Sequence, residues 1–204
     1  MLPTGYQHEL CDIQPTDDNN FRSVIRMTLT TETEVQKWLE EFQQASNLTW
    51  RKSKTYPDSG RYNRYRVDLR CHHNTRPEHK SGEGGRKKTT KNTGCPSTMY
   101  LVLKRSEIRK KSKDDHIKGG LLFTVTLRHE HNHRIFCADA MRKRDVSKQT
   151  VEKLKSLFQS GHSPSSALDT IKYDLQEEQG DNYVFAAADR AICPDLHFCF
   201  KKII

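Results

Sequence analysis

The sequence predicts an α+β fold with an opening helix, a four-stranded antiparallel sheet and a C-terminal helical hairpin. Three observations carry this expectation. A Thr-x-x-Glu capping box, Thr31 and Glu34, leads into apolar residues at helical spacing. Four strand-like runs then follow with no helix between them, and sequential strands joined by loops pair antiparallel. Beyond His133 the apolar period changes from that of strands to that of helices.

Residues 1–20 are polar and contain "PTDDNN", and the stretch 1–30 is expected to form a loose N-terminal arm. In "TTETEVQKWLEEFQQAS", Val35, Trp38, Leu39 and Phe42 fall at i, i+3, i+4 and i+7, a helix face that belongs to a core. "LTWRKSKTY", "YNRYRVDLRC", "STMYLVLKR" and "GLLFTVTLRH" mix β-branched, aromatic and aliphatic residues between Gly, Pro, Ser or Asn, as strands do. "DSG" at 58–60 suits a tight turn between the first two. "NTRPEHKSGEGGRKKTTKNTG" separates the second from the third, and the charged "SEIRKKSKDDHIKGG" separates the third from the fourth. In "SKQTVEKLKSLFQSG", Val151, Leu154, Leu157 and Phe158 share a face, with Ser147 as N-cap and Gly161 just past the end. "SPSSALDTIKYDL" restarts with Ser163 as N-cap and Pro164 at the first helical position, and Ala167, Leu168, Ile171 and Leu175 form its stripe. The expected organisation is therefore an arm at 1–30, a sheet domain at 31–140 and a helical linker segment at 141–204.

Charge is concentrated in one place. Residues 51–113 hold 19 lysines and arginines against 5 acids, a balance of +14, whereas residues 1–50 carry −5 and residues 114–204 carry 0. Such a block suits a polyanion, with nucleic acid ahead of an acidic membrane surface. The chain is also lean in apolar residues, at 33% with a mean hydropathy of −0.90, so a modest core is expected. No apolar run approaches the about 20 residues needed to span a bilayer, so no membrane association is expected. The N-terminal "MLPTGYQHELCD" lacks a basic segment followed by an apolar one, so secretion is not expected either. The six cysteines (11, 71, 95, 137, 193 and 199) are then expected to be reduced, and a cysteine beside histidines to be a metal ligand.

"FTVTLRHEHNHRIF" sets His129, His131 and His133 at every second position, so a continued strand would align the three imidazoles on one face. The second strand runs into Cys71, Cys95 precedes the third, and the fourth runs towards His131 and His133. Two thiolates and two imidazoles suit tetrahedral zinc and close its coordination shell, which makes a structural rather than a catalytic site. For a sheet with a thin core such an ion would add folding free energy, about 10 kcal/mol in zinc-finger peptides. The spacing Cys-x23-Cys-x35-His-x-His is loose, and His72, His73, His79 and His129 stand as competing ligands. His129 continues the inward parity of Phe123, Val125 and Leu127, which favours the core or the surroundings of the site. Cys137 reads equally well as a small buried hydrophobe.

Taken in order, "VQKWLEEFQQA", "TWRKSKT", "YRVDLRC", "GCPSTMYLVL" and "VTLRHEHNH" resemble the WRKY/GCM superfamily of zinc fingers. Within it they are most similar to the far-red-impaired (FAR) type, found in Mutator-like transposases and in transcription factors derived from them. The resemblance covers roughly residues 33 to 135. It implies one zinc on Cys71, Cys95, His131 and His133, a nuclear location, and binding of double-stranded DNA by a basic β-strand. Trp50, Arg51 and Lys52 match the plant heptapeptide "WRKYGQK", whose strand enters the major groove, whereas Ser53, Lys54, Thr55 and Tyr56 do not. The long gap between the cysteines also departs from the plant proteins, so their sequence specificity is not implied. Residues 142–200 resemble the helical segment that follows this finger in SWIM-finger and calcium-responsive-transcription-factor-like animal proteins. Segment 141–204 is accordingly expected to open a region truncated here.

These residues lead to the expectation of a zinc-dependent DNA-binding module of a transcription factor or domesticated transposase, not an enzyme. Base or groove contact is expected from Arg51, Lys52 and Lys54, which sit on a rigid strand. Phosphate contact is expected from Arg86, Lys87, Lys88 and Lys91 in the basic loop. The alternative is a protein-interaction domain that keeps the zinc fold without binding DNA. A nuclease is disfavoured, because "HNH" endonucleases spread those residues over a ββα unit rather than one tripeptide.

Overall fold

The computed structural model describes residues 2–17, 19–56, 59–75 and 91–202. The chain divides into two compact units, Met1–His133 and Arg134–Ile204. Among the described residues no helix is long and apolar enough to cross a membrane.

The first unit is built on strands β1 (His8–Pro15), β2 (Phe21–Met27), β3 (Trp50–Thr55), β4 (Asn63–Cys71), β5 (Thr98–Lys104) and β6 (Phe123–His129). They form one sheet in the order β1-β2-β6-β5-β4-β3, and every neighbouring pair is antiparallel. Residues opposite one another in such a ladder share a face, so the register sorts the side chains. Val67, Leu101, Val125 and Ile25 make one transverse row, and Leu69, Met99, Leu127 and Ser23 the next. All eight are buried.

Helix α1 (Glu32–Ser46) covers that face. Its capping box is formed: Glu34 N donates to Thr31 Oγ1 at 3.2 Å, and Thr31 N donates back to Glu34 Oε2 at 2.9 Å. Asn47 ends the helix at φ +53°, a left-handed cap conformation that asparagine tolerates. Trp38 stacks on Phe42 with centroids 5.1 Å apart and meets Phe123 of β6 edge-on at 5.5 Å. Helix α2 (Asp115–Lys118) lies in the connection between β5 and β6, after a 3-10 turn at Ser106–Lys111.

Two expectations need correction. The sheet has six strands rather than four, and the supposed arm at 1–30 supplies the additional pair. Strand β2 does alternate, with Ser23, Ile25 and Met27 buried between more accessible residues, but Arg22 and Arg26 mask the pattern. Strand β1 has no alternation to detect, because every one of its residues is exposed. Between them the chain turns at Asp17, whose Oδ1 accepts from the backbone of Asn19 and Asn20 at 3.1 and 3.0 Å.

The second unit contains α3 (Ala138–Arg142), α4 (Lys148–Gln159), α5 (Pro164–Gln179), α6 (Tyr183–Ala188) and α7 (Leu196–Lys202). The expected hairpin is α4 and α5, with Ser147 and Ser163 as N-caps and Gly161 at φ +88° between them. It is nevertheless part of a larger cluster. Leu154, Ala167, Leu168, Ile171 and Leu175 pack with Cys193 and Cys199, so residues after α5 complete the core. A two-helix stripe leaves one side uncovered, and short helices need such packing to persist in water.

This unit also buries an ion pair. Arg144 Nη1 donates to Asp189 Oδ2, and Asp189 Oδ1 accepts from Ala191 N at 2.9 Å. Burial pushes the Asp189 carboxyl up and the Arg144 guanidinium down, and each charge opposes the other's shift. Asp189→Ala, which strands the guanidinium, should destabilise the helical unit by about 3–5 kcal/mol. Hydrogen exchange at α4 and α5 amides checks this, and an Arg144→Met, Asp189→Leu pair should recover most of the loss.

Candidate metal centre

The buried face of the sheet ends in a row that is no longer purely apolar. Trp50 pairs with Cys71 and Phe21 with His129, one step beyond the Leu69, Met99 and Leu127 row. Cys71 therefore occupies the place where the Val67 and Leu69 parity would put another aliphatic residue. Cys95 approaches from the other side of Ser97, whose carbonyl accepts from Cys71 N at 3.1 Å. His131 and His133 lie just past β6.

These four side chains converge, and each offers one donor atom within 4.8 Å of all the others. Cys71 Sγ is 3.3 Å from His133 Nε2, Cys95 Sγ is 3.5 Å from His131 Nδ1, and the two ring nitrogens are 3.2 Å apart. Zn–S near 2.3 Å and Zn–N near 2.0 Å in a tetrahedron require S···N edges of about 3.5 Å and N···N edges of about 3.3 Å. The donor set thus fits a tetrahedral ion in both chemistry and size. The electrostatics agree. Hydrogen bonding from the Cys71 thiol, with the imidazoles of His131 and His133 adding to it, holds Cys95 well below the usual thiol range. The same hydrogen bond between the two sulfurs, with burial, pushes Cys71 up. Cysteine binds a metal ion as the thiolate, so a dication held here would displace the thiol protons.

Neighbouring groups fix the ligands. Asn74 Nδ2 donates to the Cys95 carbonyl at 2.8 Å, and Glu130 N donates to Ser97 Oγ at 2.9 Å. Asn132, the residue between the two histidines, clamps the Cys95 approach: its Nδ2 donates to Thr93 O at 2.8 Å and its Oδ1 accepts from Thr93 Oγ1 at 2.9 Å. Trp50 meets His131 edge-on at 6.0 Å. Sequence reasoning missed these supports; the only hint was the polar Asn132 set between two ligands.

The competing histidines surround the centre instead of joining it. His73 stacks on His133 with centroids 4.0 Å apart, and its Nδ1 bonds the Lys91 carbonyl at 2.7 Å. His72 Nδ1 bonds the Thr49 carbonyl at 3.1 Å. His129 is buried, stacks on Phe21 at 4.8 Å, and is pushed down to about 4 by burial and by His131. It is a neutral core residue. His79 lies outside the described residues, and Cys137 belongs to the second unit, at the N-cap of α3. A second, more exposed group, Glu9, Cys11 and His116, also gathers three donors, two of them already paired as His116 Nδ1 with Glu9 Oε2 at 3.3 Å.

The basic residues divide. Arg51 pairs with Arg70, but Lys52 pairs with Leu69 and so belongs to the opposite side of β3. A bulge at Ser53 shifts the register, and Lys54 pairs with Asp68 on the side of Arg51. Lys91 is half-buried beside the metal centre. Arg86, Lys87 and Lys88 lie outside the described residues. No family model, no curated protein and no solved structure matches the chain.

Substituting Cys71 or His133 with alanine should abolish stoichiometric binding of a divalent metal, measured as metal per chain by elemental analysis. His129→Phe, which fills the same space beside Phe21, should leave that stoichiometry unchanged.

Proposed function

We propose that the first unit is a zinc-folded DNA-binding module of a transcription factor or domesticated transposase, acting in the nucleus. The observation that carries the reading is the set of four donors at the end of the sheet core, two sulfurs and two ring nitrogens within 4.8 Å. Such a set favours zinc over hard cations such as magnesium or calcium. Four protein ligands leave no position for substrate or water, so the ion's role is structural. The +14 balance of residues 51–113 supports a polyanionic partner. The resemblance of the motif order to FAR-type WRKY/GCM fingers supports DNA as that polyanion.

In this reading Arg51, Lys52 and Lys54 touch bases or the groove, and Arg86, Lys87, Lys88 and Lys91 hold phosphates. Positioning and base reading then come from different parts of the chain. The second reading is a protein-interaction domain that keeps the zinc fold without binding DNA.

The test is a gel shift with random duplex DNA, with and without a chelator, on a chain whose zinc content is known. One zinc per chain and binding abolished by chelation are expected. Duplex binding that persists after the metal is removed, or no duplex binding at any salt concentration, rejects the proposal. Neutralising Arg86, Lys87 and Lys88 should weaken binding to all duplexes and lower the salt slope by about one for each phosphate no longer held. Arg51→Ala with Lys52→Ala should instead erode discrimination between duplexes by about 1–3 kcal/mol for each base no longer read.

A further inference from the structure

The register of the sheet assembles a row that no single stretch of sequence displays. Arg22 pairs with Arg128, Arg128 with Thr98, Thr98 with Arg70, and Arg70 with Arg51. Four arginines therefore stand in one line across five strands, on the face opposite α1. At about 4.8 Å per strand the line is about 19 Å long. One step along the strands, the next row contains Val24, Thr126, Tyr100, Asp68 and Lys54. At its centre Tyr100 is 39% exposed on an interior strand.

The side chains of this face show what is already occupied. Glu130 bridges Arg22 and Arg128, with Oε1 2.7 Å from Arg22 Nε and Oε2 2.5 Å from Arg128 Nε. Tyr56 lies under the Arg66 guanidinium at 4.2 Å and donates its hydroxyl to Asp68 at 2.7 Å. Arg70, at the middle of the face, is half-buried, and its Nε is a buried nitrogen that makes no hydrogen bond among the described residues. The face thus presents a line of guanidinium groups beside an accessible aromatic ring.

We propose that this open sheet face binds single-stranded nucleic acid, with phosphates along the arginine row and a base stacked on Tyr100. Basic tracks beside a stacking ring are what sequence-tolerant single-strand binding requires. The ring selects between strand forms. A base inside a duplex already stacks on both sides, whereas an unpaired base has a free face to offer. Glu130 acts as a built-in competitor, since its carboxylate occupies donors that a phosphate would otherwise take. The two modes share Arg51 of β3, but Tyr100, Arg70 and Arg128 lie on β5, β4 and β6, so a change at Tyr100 separates single-strand binding from duplex binding through β3 and the basic loop.

The test is fluorescence anisotropy of the zinc-loaded full chain with a labelled oligothymidylate, a duplex of equal length and a polyglutamate peptide. Tyr100→Ala should weaken oligothymidylate binding at least about fivefold, Tyr100→Phe should restore it, and duplex affinity should change less than about twofold. Glu130→Gln should tighten oligothymidylate binding. Unchanged single-strand affinity in Tyr100→Ala, with native metal content, overturns the proposal. So does polyglutamate binding as tightly as the oligonucleotide, which would mark an unselective anionic-peptide surface. Duplex binding without a Tyr100 effect leaves the β3 reading standing and removes this one. Single-strand binding without duplex binding does the reverse.

Discussion

Cys71, Cys95, His131 and His133 meet where the apolar core of the first unit ends, and that meeting constrains the register of the strands around it. The cysteines are separated by 23 residues, and 35 more lie between Cys95 and His131. Closing such loops costs entropy that grows only slowly with length, so one strong cross-link can tolerate long insertions. The apolar face it completes is narrow: one helix, α1, covers a sheet with buried rows of four residues. A dication bound by these four donors would add free energy at the place where that face runs out of aliphatic side chains. The histidines around it, together with Asn132 and Asn74, keep the donors in position and limit water.

The same end of the sheet explains why β3 does not behave as its sequence suggests. In a regular strand Arg51 and Ser53 would share one side, and Lys52 and Lys54 the other. The extra residue at Ser53 reverses the later parity, and Ser53 Oγ fixes the irregularity by donating to Asp68 O at 3.0 Å. Arg51 and Lys54 are thereby gathered onto the open face, and Lys52 is left on the other. One inserted position changes which cations act together, although the composition of the strand is unchanged.

How much the sequence disclosed follows from what each element buries. Helix α1 was legible because its cap and stripe are local, and α4 and α5 were legible for the same reason. The runs that became β3 to β6 were legible from their mix of β-branched, aromatic and aliphatic residues and from their boundaries. The β1–β2 hairpin was not, because β1 buries nothing and β2 alternates with arginine. The four donors could be picked out because they stand at strand ends in the order of FAR-type fingers, with His72, His73 and His79 left as competitors and parity placing His129 in the core or the surroundings of the site. The roles of Asn132, Thr93 and Ser97 depend on pairings spanning tens of residues, which no local pattern encodes. The bulge at Ser53 was equally hidden, since nothing in "WRKSKT" marks an unpaired residue.

The metal centre and the arginine row are two sides of one register. At the same level of the sheet the chain reads Phe21-Arg22, Trp50-Arg51, Arg70-Cys71 and Arg128-His129, each an inward residue beside an arginine. Neighbours in a strand point to opposite faces, so the residue that enters the core or binds the metal forces its arginine outward. Slipping one strand by a single position would bury a guanidinium and expose a thiol or an imidazole. A four-coordinate ion does not tolerate such a slip, because its donors must stay within a few ångströms of one another. An ion in the centre would therefore hold the alignment of four arginines on the far side of the sheet, with no direct bond to any of them. In the proposed reading, strand parity alone links metal loading to anion recognition.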